Sequence, residues 1–237
     1  MKIHIIMHES FEAPAAIETW AQKNKEELTF TRLYAGDKLP DGSSGFDFLI
    51  IMGGPQSIDE PQEQYPYFDA KAEIAFIKNA IESGKRVLGV CLGAQLIGEA
   101  FGAKTEKSPD KEIGFFELEL TDSAKTDPVF STFPDTFFVG HWHGNMPGLT
   151  EDCEVLATSK GCARQVIKYS PKVYAFQCHF EFTPEAIEGM IVNNAHELEE
   201  FKGLPFVEDA ETLQSHDFSE MNGFLFRFLD WVKSEVE

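Results

Sequence analysis

The chain alternates short apolar runs with longer stretches in which apolar residues recur every three or four positions. Lys2–Met7 reads as an opening strand, and residues 14–25 follow with helical spacing. Residues 28–33 form a second strand. Residues 46–52 (FDFLIIM) form a third, apolar almost throughout, as expected of a strand buried on both faces. Gly53-Gly54-Pro55 ends it abruptly. Residues 67–83 carry Ala70, Ile74, Ile77 and Ile81 along one helical stripe that stops at Gly84. Residues 85–90 (KRVLGV) are the next buried strand, and 92–101 a helix closed by Gly102. Strands alternating with helices in this order predict an α/β fold, a parallel sheet covered by helices.

From residue 113 to 177 the texture changes to shorter strands and turns, at 115–120, 136–140, Glu154–Thr158, 163–168 and 173–177. This pattern predicts an antiparallel section appended to the parallel core. Pro184 opens a helix behind Thr183, a good N-cap. The last stretch sets Phe218, Met221, Leu225, Phe228, Leu229 and Val232 on one helical face, which suits core packing better than a partner groove. No internal repeat or low-complexity linker interrupts the chain. Residues 1–237 therefore read as a single domain, with a core at 1–200 and a helical extension at 201–237.

Composition narrows the function classes. The 237 residues include 40 acidic and 20 basic side chains, a formal net charge of −20. A protein that tracks phosphates gains affinity by releasing counterions to Lys and Arg, so this balance argues against a nucleic-acid partner. It equally disfavours an anionic membrane surface. No run approaches the ~18 uncharged apolar residues of a membrane span. The first residues lack the long apolar region and cleavage site of a signal peptide. Four scattered cysteines make no disulfide framework, so the expected location is the cytoplasm. With 43% apolar residues and 22 Phe, the chain can fill a large core.

Three segments carry candidate chemistry. Gly89-Val90-Cys91-Leu92-Gly93 follows a buried strand and opens a helix, the context of a nucleophile elbow. The helix N-terminus there favours a thiolate, although free cysteines are more often buried hydrophobes. Gln177-Cys178-His179-Phe180-Glu181 ends a later strand, and alternation sends His179 and Glu181 to one side. A carboxylate beside an imidazole fixes its tautomer while the other ring nitrogen serves a thiol. Met52-Gly53-Gly54-Pro55-Gln56-Ser57 lets backbone N–H groups approach a ligand, as an oxyanion hole requires, but a tight turn explains it equally well.

Taken together, GGPQS, GVCLGAQ, HWHG and QCHFE, in this order and at these separations, resemble the class I glutamine amidotransferase domain. The nearest likeness is to stand-alone members similar to the amidotransferase half of GMP synthase. The resemblance implies a flavodoxin-like three-layer fold with a mostly parallel central sheet. It also implies Cys91 as nucleophile, His179 as general base and acid, and Glu181 as the group orienting His179. The backbone amides of Gly54 and Leu92 would form the oxyanion hole. Gly53, Gln95 and the loop Trp142-His143-Gly144-Asn145 would hold the substrate.

The implied reaction releases glutamate and ammonia from glutamine through a γ-glutamyl thioester, with no cofactor. The ammonia acceptor would be a separate synthetase subunit, and a homodimer is an allowed assembly. The alternatives are a stand-alone γ-glutamyl peptidase-like hydrolase and, less favoured, a non-catalytic regulatory protein on the same fold. Four positions depart from the family pattern: Ala94 stands where many relatives carry His, Cys178 replaces an aromatic, and Phe180 interrupts H-P-E. Asn145 stands where GMP-synthase relatives place Asp, which removes a charge that could meet a substrate amino group. His141 and His143 suggest a metal site with His179, but no zinc-type Cys/His spacing accompanies them, so no metal is expected. Cys153, Cys162 and Cys178 read as unpaired structural thiols. His4, His8, His196 and His216 carry no local signal.

Overall fold

Strand β1 (Lys2–Met7) alternates its side chains between two apolar layers. Ile3, Ile5 and Met7 enter one core and Ile6 the other. Strand β3 (Phe48–Ile51) does the same, with Phe48 and Ile50 against Leu49 and Ile51. Burial on both faces is what the continuous apolar run at 46–52 requires. The computed structural model describes residues 1–59 and 63–236.

The remaining strands of the parallel half are β2 (Glu27–Arg32), β4 (Arg86–Val90) and β9 (Val173–Phe176). Strands β5 (Glu106–Leu120), β6 (Thr136–Met146), β7 (Glu154–Thr158) and β8 (Val166–Ser170) complete one sheet. Its order is β2-β1-β3-β4-β9-β8-β7-β5-β6. The pairings from β2 to β9 are parallel and those from β9 to β6 antiparallel. The fold is thus a flavodoxin-like three-layer α/β domain whose parallel core continues directly into the appended antiparallel section.

Helices α1 (Ala16–Asn24) and α7 (Ser219–Ser234) cover one face, and α2 (Ala70–Glu82) and α3 (Leu92–Ala100) the other. Short helices α4 (Pro184–Asn193), α5 (Ala195–Glu200) and α6 (Ala210–Ser215) link β9 to α7. Helix α2 begins three residues later than its apolar stripe suggests, because the Asp69 side chain caps it by accepting from Ala72 N–H at 3.1 Å. Among the described residues no helix is long and apolar enough to cross a membrane.

Strand boundaries in the antiparallel section differ from the sequence pattern, most of all in β5 and β6. Strand β6 runs on through His141, Trp142, His143 and Asn145, and β5 starts at Glu106. The segment expected to be a substrate loop is therefore strand. Its polar side chains are buried against other polar groups, so alternation of apolar and polar residues does not mark it.

The apolar face of α7 belongs to the core. Phe228 is 2% exposed and packs edge-on against Tyr174 and Phe176, with ring centroids 5.2 and 5.0 Å apart. Phe228→Ala should destabilise the protein by about 3–5 kcal/mol. A thermal melt would then show Tm lowered by roughly 10 °C. An unchanged Tm would mean that α7 is docked without bearing on the core.

Candidate active site

In a parallel sheet, ligands bind beyond the carboxyl ends of the strands, at the point where strand order reverses. Here β1 is flanked by β2 and β3, and the segments leaving β1, β3, β4 and β9 meet at that edge. They carry His8 and Glu12, then Gly53 and Gly54, then Cys91, then His179 and Glu181.

Cys91 sits between β4 and α3 with φ 52° and ψ −108°, a conformation most non-glycine residues avoid. The turn is pinned because Cys91 N–H donates to Phe176 O at 2.8 Å. A side chain at Gly89 would strike the Gly93 backbone, and one at Gly93 would strike the Ile51 carbonyl. Both glycines are thus required by how tightly α3 lies on β3 and β4. The Cys91 thiol is buried and donates to Trp142 O at 3.6 Å.

His179 and Glu181 lie on the extension of β9, joined to β6 by reciprocal bonds between His179 and Gly140 at 2.8 and 3.0 Å. The His179 ring stacks on Phe182 at 4.2 Å, and its Nδ1–H donates to Glu181 Oε1 at 2.6 Å. Asn222 on α7 donates to the carbonyls of Phe180 and Phe182 at 2.8 and 3.0 Å, clamping the segment from behind. Burial alone would lower the His179 pKa. The Glu181 carboxylate and Cys91 outweigh it and hold the pKa well above its usual value. The Cys91 contact falls short of hydrogen-bond geometry, so His179 Nε2 is buried without a partner among the described residues. Contacts between nucleophile and base are often this loose in ligand-free sites.

The oxyanion candidates lie alongside. Leu92 N–H opens α3 and has no intrahelical acceptor. Gly54 N–H donates to no described residue. The turn carrying Gly54 rests on His8, whose position the sequence does not flag. His8 Nδ1 faces the carbonyls of Met52 and Gly53 at 3.1 Å, and Nε2 lies 2.9 Å from Glu73 Oε2. All three partners only accept, so both ring nitrogens carry hydrogen. Burial opposes that charge, but Glu73 prevails and the His8 pKa is raised.

A cleft of about 790 Å³ opens over Cys91, Leu92 and Gly54, while Gly53, His179 and Glu181 lie behind its wall. Its wall includes Cys91, Leu92, Gly54, Gln95, Trp142, His143, Gly144 and Asn145. Gln95 Nε2 donates to Gln177 Oε1 at 3.1 Å, and Trp142 Nε1 to Glu197 Oε2 at 2.6 Å. Lys111 also pairs with Glu197 across the mouth.

His143 presents only an edge of the wall, because its ring turns into a buried polar cluster. There His141 and His143 meet Glu112, and the three ligand atoms lie within 4.8 Å of one another, close enough to hold a metal ion. The Gln165 side-chain amide points into the same space. Its Nε2 lies 2.6 Å from Glu112 Oε2 and 3.2 Å from His141 Nδ1 and His143 Nε2. Burial lowers the His141 pKa to about 3 and also depresses that of His143. Burial alone would raise the Glu112 carboxyl, but His143, His141 and the Ser159 hydroxyl, which donates to its Oε1 at 2.7 Å, hold it below its usual range.

This fold and this edge define the protein's class. The family model described as glutamine amidotransferase class-I matches residues 8–198, and the chain belongs to that family. The glutamine amidotransferase-like protein YfeJ of Salmonella typhimurium is 44% identical over 230 residues, covering 97% of this chain and 96% of that protein. GMP synthase (glutamine-hydrolyzing) of Lactobacillus delbrueckii is 26% identical over 190 residues. That match covers 79% of this chain but only 32% of the synthase. The crystal structure of SMU.1228c superposes with TM-score 0.95 at 47% identity, covering 98% of this chain and all of that one. A Thermotoga maritima glutamine amidotransferase shares the fold at TM-score 0.86 and 24% identity, covering 100% and 98% of the two chains.

Proposed function

We propose that the protein hydrolyses the side-chain amide of glutamine through a γ-glutamyl thioester on Cys91. The observation that carries this reading is the convergence of a strained elbow cysteine with a buried His179–Glu181 pair and two undonated backbone amides. Cys91 passes its thiol proton to His179 Nε2 and attacks the amide carbonyl as the thiolate, and the developing oxyanion is received by Gly54 N–H and Leu92 N–H. His179, kept protonated by Glu181, gives its Nε2 proton to the departing nitrogen, and ammonia leaves. The neutral imidazole then takes a proton from water, which attacks the thioester and frees glutamate. Gln95, Trp142, Gly144 and Asn145 line the space for the rest of the substrate. Every step uses side chains and main-chain groups of this chain, so the reading asks for no cofactor.

In this reading the GMP synthase likeness, which spans about a third of the synthase, makes a separate ammonia-accepting synthetase the natural partner. A second reading is favoured by the cleft itself. A volume of about 790 Å³ suits a ligand much larger than one amino acid, as in hydrolysis of γ-glutamyl peptides. Offering purified protein L-glutamine and a γ-glutamyl dipeptide side by side separates the two. We expect glutamine turnover to be slow alone and to rise when the synthetase docks. A kcat/KM for the dipeptide ~100-fold above that for glutamine, about 2.7 kcal/mol of transition-state preference, would reverse the order. Release of no glutamate from either would refute both.

A further inference from the structure

Among the described residues three carboxylates line the cleft: Glu9, Glu12 and Glu197. Glu9 is engaged by Tyr67 Oη and by Gln56 Nε2, the latter at 2.9 Å. Glu197 is engaged by Lys111 and Trp142. Glu12 has no hydrogen-bond or salt-bridge partner among the described residues, yet it is only 9% exposed. Its carboxylate lies directly over the Gly53 Cα. A Cβ there would overlap Glu12 Oε2 and come within 3.3 Å of Cys91 Cβ. The glycine before the oxyanion turn thus makes room for a carboxylate beside the nucleophile.

A buried carboxylate without a partner is costly, and such groups are ordinarily compensated by a cation. The nearby charges do not compensate this one. His8 and His179 are committed to Glu73 and Glu181, and Glu9 and Glu181 repel it. We propose that Glu12 anchors an ammonium nitrogen of the ligand that binds over Cys91. With the hydrolytic reading, on which this rests, that nitrogen is the α-ammonium of the γ-glutamyl group.

Desolvation raises the Glu12 carboxyl to a pKa of about 7. An ammonium binds the carboxylate and not the acid, so affinity should rise as pH climbs through 7. The groups that face Glu12 through this change are His8 beyond β1, Glu9 in the same loop, and His179 and Glu181 beyond β9.

The test compares wild type with Glu12→Gln, which keeps the shape, and Glu12→Asp, which keeps the charge. KM is measured at pH 6 and pH 8 for L-glutamine, N-acetyl-L-glutamine and L-glutamate γ-methyl ester. In wild type, KM for glutamine should fall as pH rises. In Glu12→Gln it should be raised ~10-fold or more at pH 8 and be flat with pH, whereas Glu12→Asp should retain part of the pH dependence. If the variant hurts glutamine and ester but not the acetylated amide, the α-ammonium is the nitrogen. If it hurts both amides and spares the ester, the nitrogen that Glu12 meets is not an ammonium and the proposal fails.

Equal effects on all three substrates, or none, would overturn the proposal. A second readout needs no turnover: protection of Cys91 from iodoacetamide by n-butylammonium chloride. Protection in wild type and its loss in Glu12→Gln supports the ammonium site even if no γ-glutamyl compound is hydrolysed, in which case only the hydrolytic reading fails. Equal protection in both, or protection in neither, removes Glu12 from the site.

Discussion

Cys91→Ala should abolish glutamate release, a loss of ~10⁴-fold or more in kcat, while the protein stays folded. The loss is large because the thiol supplies the bond that splits one hard displacement into two easier ones. No neighbouring group on these elements can take its place. Alanine inherits the left-handed backbone of the elbow, so the strain of about 1–3 kcal/mol remains and Tm should barely move. A glutamate-release assay and a thermal melt check the two halves separately. Mass spectrometry adds a third reading: a γ-glutamyl adduct trapped on Cys153, Cys162 or Cys178 would reassign the nucleophile.

Glu181→Gln should lower kcat by roughly 10²-fold with little change in substrate binding. An amide in place of the carboxylate still reaches Nδ1 but no longer opposes the burial that disfavours an imidazolium. The pH profile gives the sharper reading. In wild type the His179 pKa stands well above its usual value, so the acid needed for the leaving nitrogen stays loaded past neutrality. Without the carboxylate, desolvation dominates and that pKa falls. The alkaline limb of kcat should then move to lower pH. The stability linkage has the same sign: the charged pair stabilises the fold below the unfolded pKa of about 6.5, and that contribution is lost as pH rises through the raised folded value. A profile unchanged in both height and position would make Glu181 a neighbour of His179 and nothing more.

How much of this was legible in the sequence depends on where each residue's signal comes from. The parallel half announces itself, because strands buried on both faces must be apolar and the helices between them must be amphipathic. Cys91, His179 and Glu181 were visible because elbow and strand end each concentrate chemistry in five consecutive residues. His8, Glu12 and Glu73 were not. They come from two separate segments, the loop after β1 and helix α2, and acquire meaning only when β1 and β3 lie side by side with α2 packed over them. The length of β6 was hidden for a related reason. His141 and His143 read as residues of a substrate loop until Glu112 and Gln165, both distant in sequence, are placed against them.

The Asn222 clamp bears on what counts as a transferable unit. The family model ends at residue 198, with every proposed acting residue inside it. Yet the carbonyls on both sides of Glu181 are tied to a side chain 24 positions beyond that limit, on a helix whose aromatic face is part of the core. A graft of the matched segment onto another protein would carry the whole chemical inventory and leave out the part that holds it in register. Swaps between this chain and relatives should therefore exchange the histidine–glutamate strand end and the last helix together. The pair behaves as one inheritance, although the limit of the family model falls between them.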